Sequence, residues 1–343
     1  GYSFSLLHTL AYSVIALQEL NLNYRYNPLY WNTACLTVNS GGIEDQEVET
    51  DEEEDEKDKK KRATNYGKVA SAIGGIRQRG VKVDLPYINK AKFGFTPDIE
   101  NNSIIFGLKG LNGIGDDVVH LITENRPYNS FEDFVERMFK TGLVKKKQMV
   151  QLIKAGCFDE FGDRVKVMKQ FIRMVVEPKE KLNMQNFASL INHNLIPDEY
   201  ALEVRFYKFK KYMSSKVFKH VKSPKDKLYA LDHKAEPFFL QHFTDECVVE
   251  HTETGHMVIS EKLFKKQYDK KMESVKDWVS TQEATDLLNT QLLNEEWASQ
   301  CSGSISKWEM DSLSYYYNEH ELANVNKEKY GIANYFELPE EPI

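Results

Sequence analysis

Cysteine is scarce in this sequence, and its four copies lie far apart. Cys35, Cys157, Cys247 and Cys301 form no Cys-x-x-Cys pair, and no histidine stands near them at metal-ligand spacing. This arrangement argues against zinc motifs and against a disulfide framework. We therefore expect reduced, partly buried thiols in a cytoplasmic protein.

Long apolar runs are also missing. No run approaches the ~20 residues that a membrane-spanning helix needs, so we expect no membrane partner. The apolar N-terminal stretch has no basic leader and is interrupted by His8, Gln18 and Glu19, unlike a signal peptide. Because the sequence starts at Gly1 within a segment of helical pattern, we expect a fragment or a processed product.

Net positive charge is lacking too, which at first argues against a nucleic-acid partner. The net charge is −7, but residues 44–62 hold 11 acidic and 5 basic side chains and account for −6 of it. The remaining chain, at −1, has room for local basic surfaces. Residues 39–65 contain almost nothing apolar and predict a solvated, disordered insertion, with an acidic mimic of DNA as the alternative.

Glycine, by contrast, marks one informative place, between two short apolar runs. In Gly110-Leu-Asn-Gly-Ile-Gly115, Gly113 and Gly115 can adopt backbone angles that other residues avoid and have no side chain to hold a ligand away. Apolar residues at helical spacing follow, so this corner precedes a helix N-terminus, whose free amides suit a phosphate. The pattern is that of a helix-hairpin-helix, and a helix–turn–helix that merely packs is the alternative. The expected contacts to a nucleic-acid backbone are Gly110, Asn112, Gly113, Ile114 and Gly115.

A second unit follows. Val144–Gly156 predicts a helix whose apolar face is formed by Met149, Val150, Leu152 and Ile153. Lys145, Lys146 and Lys147 at its start stand where the two units jointly face a phosphate backbone, although three lysines also suit a solvated face. Cys157–Gly162 begins a further turn, so this unit is a degenerate hairpin. We interpret Asp116-Asp117 in the first unit as partners of the helix dipole, not as metal ligands.

The second half of the chain has weaker signals. Residues 205–227 hold nine Lys or Arg residues interleaved with aromatic ones. This composition fits a surface that follows an unpaired strand, or, more simply, an amphipathic element whose rings lie in the core. Short strands near 247–249 and 256–259, helices across 261–297 and a helix over 308–322 are also predicted.

Several segments stand in a characteristic order along the chain. They are Gly-Tyr-Ser-Phe-Ser-Leu-Leu-His-Thr-Leu-Ala-Tyr at 1–12, Asn27–Thr37, Ile76–Val83, Pro86–Asn89, Phe106–Gly115, Leu152–Asp159 and Glu309–Leu322. Their order and spacing resemble the family C replicative DNA polymerases of bacteria and phages, the alpha subunits of DNA polymerase III. The resemblance is good over 1–162, weak over 163–300 and brief at 308–322.

The resemblance implies part of a DNA-directed DNA polymerase, a nucleotidyltransferase of DNA replication, which binds duplex DNA and contacts the rest of the polymerase. The family holds two Mg²⁺ ions in a separate palm domain that we do not find, so this chain alone is expected to be inactive. A lysine of the family's fingers falls on Leu6, which leaves His8 and Arg25 as candidate nucleotide contacts, or His8 as a buried structural residue. A sliding clamp is a further expected partner, although Gln185–Leu190 and Gln291–Asn294 match its binding peptide poorly.

We therefore expect a mainly α fold with small β elements: a helical fingers subdomain, a tandem helix-hairpin-helix and an α+β C-terminal region. The expected domains are the end of the fingers helices (1–38), the insertion (39–65), a connection (66–103), the tandem helix-hairpin-helix (104–162), a variable α+β region (163–307) and a segment leading to an oligonucleotide-binding barrel outside the chain (308–343).

Two other functions stay open. A non-enzymatic helix-hairpin-helix adaptor in repair or recombination would bind DNA as an independent protein. The helix predicted over 4–22 argues against it, because that helix is apolar on every side and needs a partner to cover it. A nuclease or other metal enzyme would need grouped ligands, and the carboxylates over 228–300 have no convincing spacing.

Overall fold

The computed structural model describes residues 6–41, 64–216, 218–220, 227–318, 323 and 325–331. Most of the predicted insertion at 39–65 lies outside these residues. The described part is mainly helical with two small sheets, which confirms the predicted fold class. Residues up to Phe171 and those from Ser299 onward form one compact unit, called the first unit below, and Ile172–Ala298 form the second unit.

The first unit begins with three helices, α1 (Leu6–Arg25), α2 (Pro28–Asn39) and α3 (Tyr66–Gln78). α2 begins at a local cap, because Asn27 Oδ1 accepts a hydrogen bond of 3.0 Å from the Leu29 amide and Pro28 occupies the first helical position. No residue of α1 is buried among the described residues, so its apolar side chains face outward.

A three-stranded sheet follows α3. Its strands are β1 (Lys82–Asp84), β2 (Thr96–Asp98) and β3 (Ser103–Ile105), in the order β1-β3-β2, with β1 parallel and β2 antiparallel to β3. Pro97 is tolerated in β2 because β2 is an edge strand. Proline has no backbone N–H to donate to a neighbouring strand, and an edge strand has a neighbour on one side only.

The hairpin region is built from short helices. They are α4 (Asp116–Glu124), α5 (Phe131–Phe134) with a π-helical extension over Val135–Phe139, α6 (Lys146–Lys154) and α7 (Arg164–Val176). Ser130 Oγ accepts a hydrogen bond of 3.1 Å from the Asp133 amide and caps α5, as predicted. The predicted apolar face of α6 is buried. These helices thus hold two hairpin turns against one core.

The second unit combines helices with a four-stranded antiparallel sheet of order β4-β5-β7-β6. Its elements are α8 (Phe187–Asn192), α9 (Ala201–Lys216), β4 (Phe218–His220), β5 (Leu228–Ala230), α10 (Ala235–His242), β6 (Val248–His251), β7 (Met257–Ser260), α11 (Glu261–Lys271), α12 (Glu273–Val279) and α13 (Gln282–Gln300). The strands and helices predicted between 247 and 297 are confirmed. Aromatic rings from α9, α10 and α11 fill the core.

The last helix of the described chain, α14 (Ile305–Leu313), belongs to the first unit. It is shorter than the predicted helix over 308–322. Ser314 adopts a left-handed conformation with φ of 64° and ends the helix. The Glu309 carboxylate then accepts hydrogen bonds from the amides of Tyr317 at 2.9 Å and Asn318 at 3.0 Å, which turns the chain back onto the helix.

Candidate nucleic-acid interface

The first corner, Gly110–Gly115, connects a 3₁₀ turn at Leu108–Gly110 to α4. Gly113 has a φ of +77°, and a Cβ placed there would meet no atom within 4 Å. Gly115 is the residue before α4 and has an extended backbone. Within the described residues, the amides of Gly113 and Gly115 donate to no acceptor. The corner thus presents two bare N–H groups at the positive end of a helix dipole.

Three other residues of the corner make contacts within the chain, and their expected DNA contacts stay predictions. Gly110 is buried, and its amide donates to the Gly107 carbonyl at 3.0 Å. The Ile114 side chain is 4% exposed, and its amide points back to the Leu111 carbonyl at 3.4 Å. Asn112 is exposed but its donors are engaged elsewhere.

Both donors of Asn112 bind the end of α14. The Asn112 amide donates to the Ser312 carbonyl at 2.9 Å, and Asn112 Nδ2 donates to the Asp311 carbonyl at 3.1 Å. Carbonyl groups in the last turn of a helix have no partner within that helix, and Asn112 satisfies two of them. The sequence analysis missed this contact, since nothing local connects Asn112 to residues about 200 positions later.

α14 also packs against α6, the helix that follows the second hairpin turn. Lys154 Nζ on α6 lies 3.7 Å from Asp311 Oδ2 on α14. A single helix therefore contacts both hairpin units, through Asn112 on one side and through α6 on the other. We infer that α14 fixes the spacing between them.

A buried ion-pair network anchors α14. Arg164 Nη1 donates to Glu309 Oε1 at 3.1 Å, and Arg164 Nη2 donates to Asp159 Oδ2 at 2.6 Å. Glu309 is fully buried and Arg164 is 7% exposed. Burial raises the pKa of Asp159, although the hydrogen bonds from Arg164 oppose this shift. Gly156 makes room for the network, because a Cβ there would stand 2.4 Å from Arg164 Nη2.

The second corner, Lys140–Lys145, precedes α6. Gly142 has a φ of +80° and open space around a notional Cβ, as Gly113 does. Val144 is buried, and its amide donates to the Met138 carbonyl at 2.8 Å. The sequence analysis located the second hairpin by its lysines and by the turn after Gly156, and it missed Gly142. The available signal was a glycine three residues before the lysine run.

The predicted lysines occupy the start of α6. Lys145 and Lys147 are exposed, Lys146 is half-buried, and the Lys145 amide donates to Gln148 Oε1 at 2.9 Å. Their ammonium groups supply positive charge beside the second corner. The structure thus places these lysines directly after the Gly142 turn.

Acidic side chains surround the first corner. Asp116 pairs with Lys109, whose stem is largely buried. Asp117 is exposed and forms no ion pair in the described part of the chain, and its Oδ1 lies 2.8 Å from where a Cβ of Gly115 would be. Both carboxylates are in the first turn of α4, as dipole partners would be. Asp117 places a negative charge next to the free amides.

The fingers residues lie on α1. His8 is exposed in this chain, with its ring edge-on to Tyr12 at 4.6 Å between centroids, so no described residue buries it. Arg25 is exposed at the other end of α1. Seventeen residues of helix separate the two side chains by about 25 Å, so they cannot contact one triphosphate together.

The basic and aromatic stretch and the candidate clamp-binding peptide both contribute side chains to the core of the second unit. Phe206 and Phe209 on α9 are buried there, which supports the core interpretation of the basic and aromatic stretch. Phe187 and Leu190 are fully buried as well, so the peptide Gln185–Leu190 has no free anchor for a sliding clamp. The stretch Gln291–Asn294 lies inside α13.

Two properties of the described residues bear on metal-binding and membrane-spanning proteins. No three His, Cys, Asp or Glu side chains come close enough there to hold a metal ion together. None of the described helices is long and apolar enough to cross a membrane. The four cysteines are free thiols, and three of them are buried.

The geometry defines a class of protein. Two left-handed glycine turns, each followed by a helix N-terminus, have the arrangement expected of the predicted tandem helix-hairpin-helix. Residues 80–168 match a family model described as a helix-hairpin-helix motif.

Known proteins with similar sequences are DNA polymerases. All 343 residues are 62% identical to a segment that makes up 26% of the probable DNA polymerase YorL of Bacillus subtilis, and equally to a DNA-directed DNA polymerase of Bacillus phage SPbeta. The DNA polymerase III alpha subunit of Thermus aquaticus is 28% identical over 53% of this chain and 13% of its own length. The chain spans about a quarter of the length of the first two relatives. The predicted resemblance to DNA polymerase III alpha subunits is therefore confirmed, and the whole chain is similar to one segment of a larger DNA polymerase.

Proposed function

We propose that this chain is the part of a DNA polymerase that holds duplex DNA by its sugar-phosphate backbone, behind the site of nucleotide addition. The observation that carries the proposal is the pair of bare amides at Gly113 and Gly115, in a chain 62% identical to DNA polymerases. N–H groups at a helix N-terminus bind phosphate oxygens without reading a base. Such contacts suit an enzyme that must move along any sequence.

The lysines of the second corner add the long-range part of the interaction. Lys145, Lys146 and Lys147 attract the polyanion and release its counterions, so binding falls steeply as salt rises. The amides of the first corner then fix the register of the backbone. Duplex DNA is accordingly the proposed ligand of both corners.

The rest of a polymerase is the proposed partner of α1. Leu6, Leu7 and Leu10 are 83%, 78% and 58% exposed, and further apolar side chains follow along the same helix. Water contact with so much apolar surface is unfavourable, which favours a covering domain. This observation supports the polymerase over a free-standing adaptor.

Catalysis belongs to the complete polymerase in this proposal. Its Mg²⁺ ions are held by a palm domain outside this chain, so the chain alone extends no primer. His8 or Arg25, but not both, would reach the nucleotide there. A sliding clamp and a cytoplasmic location are part of the proposal only through the resemblance.

The test compares duplex binding by glycine variants of the full chain. Fluorescence anisotropy with a labelled 20-base-pair duplex gives the affinity. Gly113→Val with Gly115→Val should weaken binding at least tenfold, because side chains then occupy the phosphate position and charge-assisted hydrogen bonds are lost. Gly255→Val is the matched control, since Gly255 has a φ of +83° and equally open space in the second unit.

Circular dichroism should show native helix content in both variants. Equal affinity of the double variant and the wild-type chain would disprove the role of the first corner. An equal loss in Gly255→Val would show that backbone strain, not phosphate contact, is the cause.

A further inference from the structure

A cavity of about 590 Å³ lies in the second unit, in the size range of small-molecule sites. It is lined by side chains from α9, by the end of α11 and by α12. All of its lining residues lie within Ile172–Ala298, so the cavity is a property of this unit alone. Neither hairpin contributes to it.

Three lysines line the cavity, namely Lys210, Lys211 and Lys276. None of them forms an ion pair with a described residue. Asp269 is the carboxylate on the same wall, and it too is unpaired within the described chain. The ordinary charges of these four groups leave an excess of positive charge, which suits an anion of more than one negative charge.

Two phenol groups face the same space. Tyr207 and Tyr268 line the cavity, and their hydroxyls bond to no acceptor or donor in the described chain. Tyr268 is 5% exposed, and burial raises its pKa to about 12, so it stays a hydrogen-bond donor at neutral pH. The Lys210 ammonium lies 4.1 Å from the centroid of the Tyr268 ring, which holds both groups in place.

Ser214 and two apolar side chains complete the lining. Met184 and Met272 lie beside the tyrosines, and Met272 is 3% exposed. Thioether groups make favourable contacts with aromatic rings and adapt to their outline. The cavity therefore combines apolar side chains with cationic ones.

We propose that this cavity binds a nucleotide, with the phosphates on Lys210, Lys211 and Lys276 and the base against Tyr207, Met184 and Met272. Inorganic phosphate would leave the tyrosine and thioether groups unused, and an apolar ligand would leave three ammonium groups desolvated without a partner. Asp269 accepts hydrogen bonds from the amino group of a base. The nucleotide is either free or the end of a single strand, and the chemistry of recognition is the same for both.

Calorimetric titration of the full chain tests the proposal with three probes. They are a deoxynucleoside triphosphate (dATP), a 5′-phosphorylated tetranucleotide and inorganic phosphate. We expect saturable 1:1 binding of dATP or of the tetranucleotide, and binding of inorganic phosphate at least tenfold weaker. Saturation by dATP alone assigns the site to free nucleotides, and saturation by the tetranucleotide alone assigns it to strand ends.

Variants show whether the cavity is responsible. Lys210→Gln with Lys276→Gln should weaken nucleotide binding at least tenfold, and Tyr268→Phe about threefold, because it removes only the hydroxyl. Lys208→Gln is the matched control, since Lys208 is exposed on α9 but does not line the cavity. Native circular dichroism of each variant excludes unfolding.

Three results would overturn the proposal. They are no saturation by dATP or the tetranucleotide up to about 1 mM, equal binding of inorganic phosphate and nucleotide, and equal affinity of the cavity variants and Lys208→Gln. None of them depends on duplex binding by the first corner, so this proposal and the polymerase proposal fail separately.

Discussion

The two glycine corners of the tandem have the same turn but different surroundings. Gly113 and Gly142 have nearly equal φ values of +77° and +80°, and both stand in open space. The first corner is tied to α14 and has two aspartates at the start of its helix. The second has lysines at the start of its helix and no acidic residue there.

In our proposed function, this difference divides two tasks between the two corners. The first corner offers amides whose position is fixed by Asn112, but Asp117 weakens their attraction for phosphate. The second corner supplies the positive charge that the first lacks. A duplex held by both corners would be aligned mainly by the first corner and attracted mainly by the second.

Breaking the anchor of α14 should have the largest effect, and mainly at the first corner. Glu309→Met leaves Arg164 with one carboxylate and strands the amides of Tyr317 and Asn318, so the free energy of unfolding should fall by about 3 kcal/mol. Urea unfolding followed by tryptophan fluorescence measures it. Glu124→Met, at an exposed position, is the control, and an equal effect of both variants would contradict the anchoring role.

Removing charge from the second corner should change salt dependence. Lys145→Gln with Lys147→Gln should reduce duplex affinity about tenfold at low salt and make the slope of log K against log salt shallower by about 1.8. Anisotropy at four salt concentrations gives the slope. Lys262→Gln with Lys265→Gln is the control, because it removes the same amount of positive charge from the second unit. The division of tasks is refuted if both pairs alter the slope alike.

Loosening the first corner should have a smaller effect. Asn112→Ala removes the hydrogen bond to the Asp311 carbonyl but keeps the bond from the main-chain amide, so stability should fall by about 1 kcal/mol. Urea unfolding is again the measurement. Asn129→Ala, at an exposed position, serves for comparison. A neutral result would mean that the Asn112 side chain does not contribute to the hold of α14 on this corner.

The smallest expected effect is a gain. Asp117→Asn removes the negative charge beside the Gly115 amide, so duplex affinity should rise about twofold to threefold at low salt. Glu124→Gln removes the same charge at the far end of α4 and should change affinity less. If Asp117→Asn binds more weakly, the carboxylate assists DNA binding and our electrostatic account of this corner is wrong.

Much of the local structure could be predicted from the sequence. The Asn27-Pro28 helix start, the Ser130 cap and the apolar face of α6 follow from contacts within a few residues. Other features could not be predicted. β2 forms because β3 pairs with it, and α14 ends early because the Glu309 carboxylate binds two later amides.

The sequence by itself determined where glycine turns precede helices, because backbone sterics and hydrophobic periodicity act over short stretches of chain. Only the tertiary structure decided which donors of the first corner are available. The Asn112 side-chain amide donates to the Asp311 carbonyl, 199 positions away. The main-chain amides of Gly113 and Gly115 meet no acceptor in the described chain. The physical reason is that a donor is free or satisfied according to the distant carbonyl groups that folding brings to it.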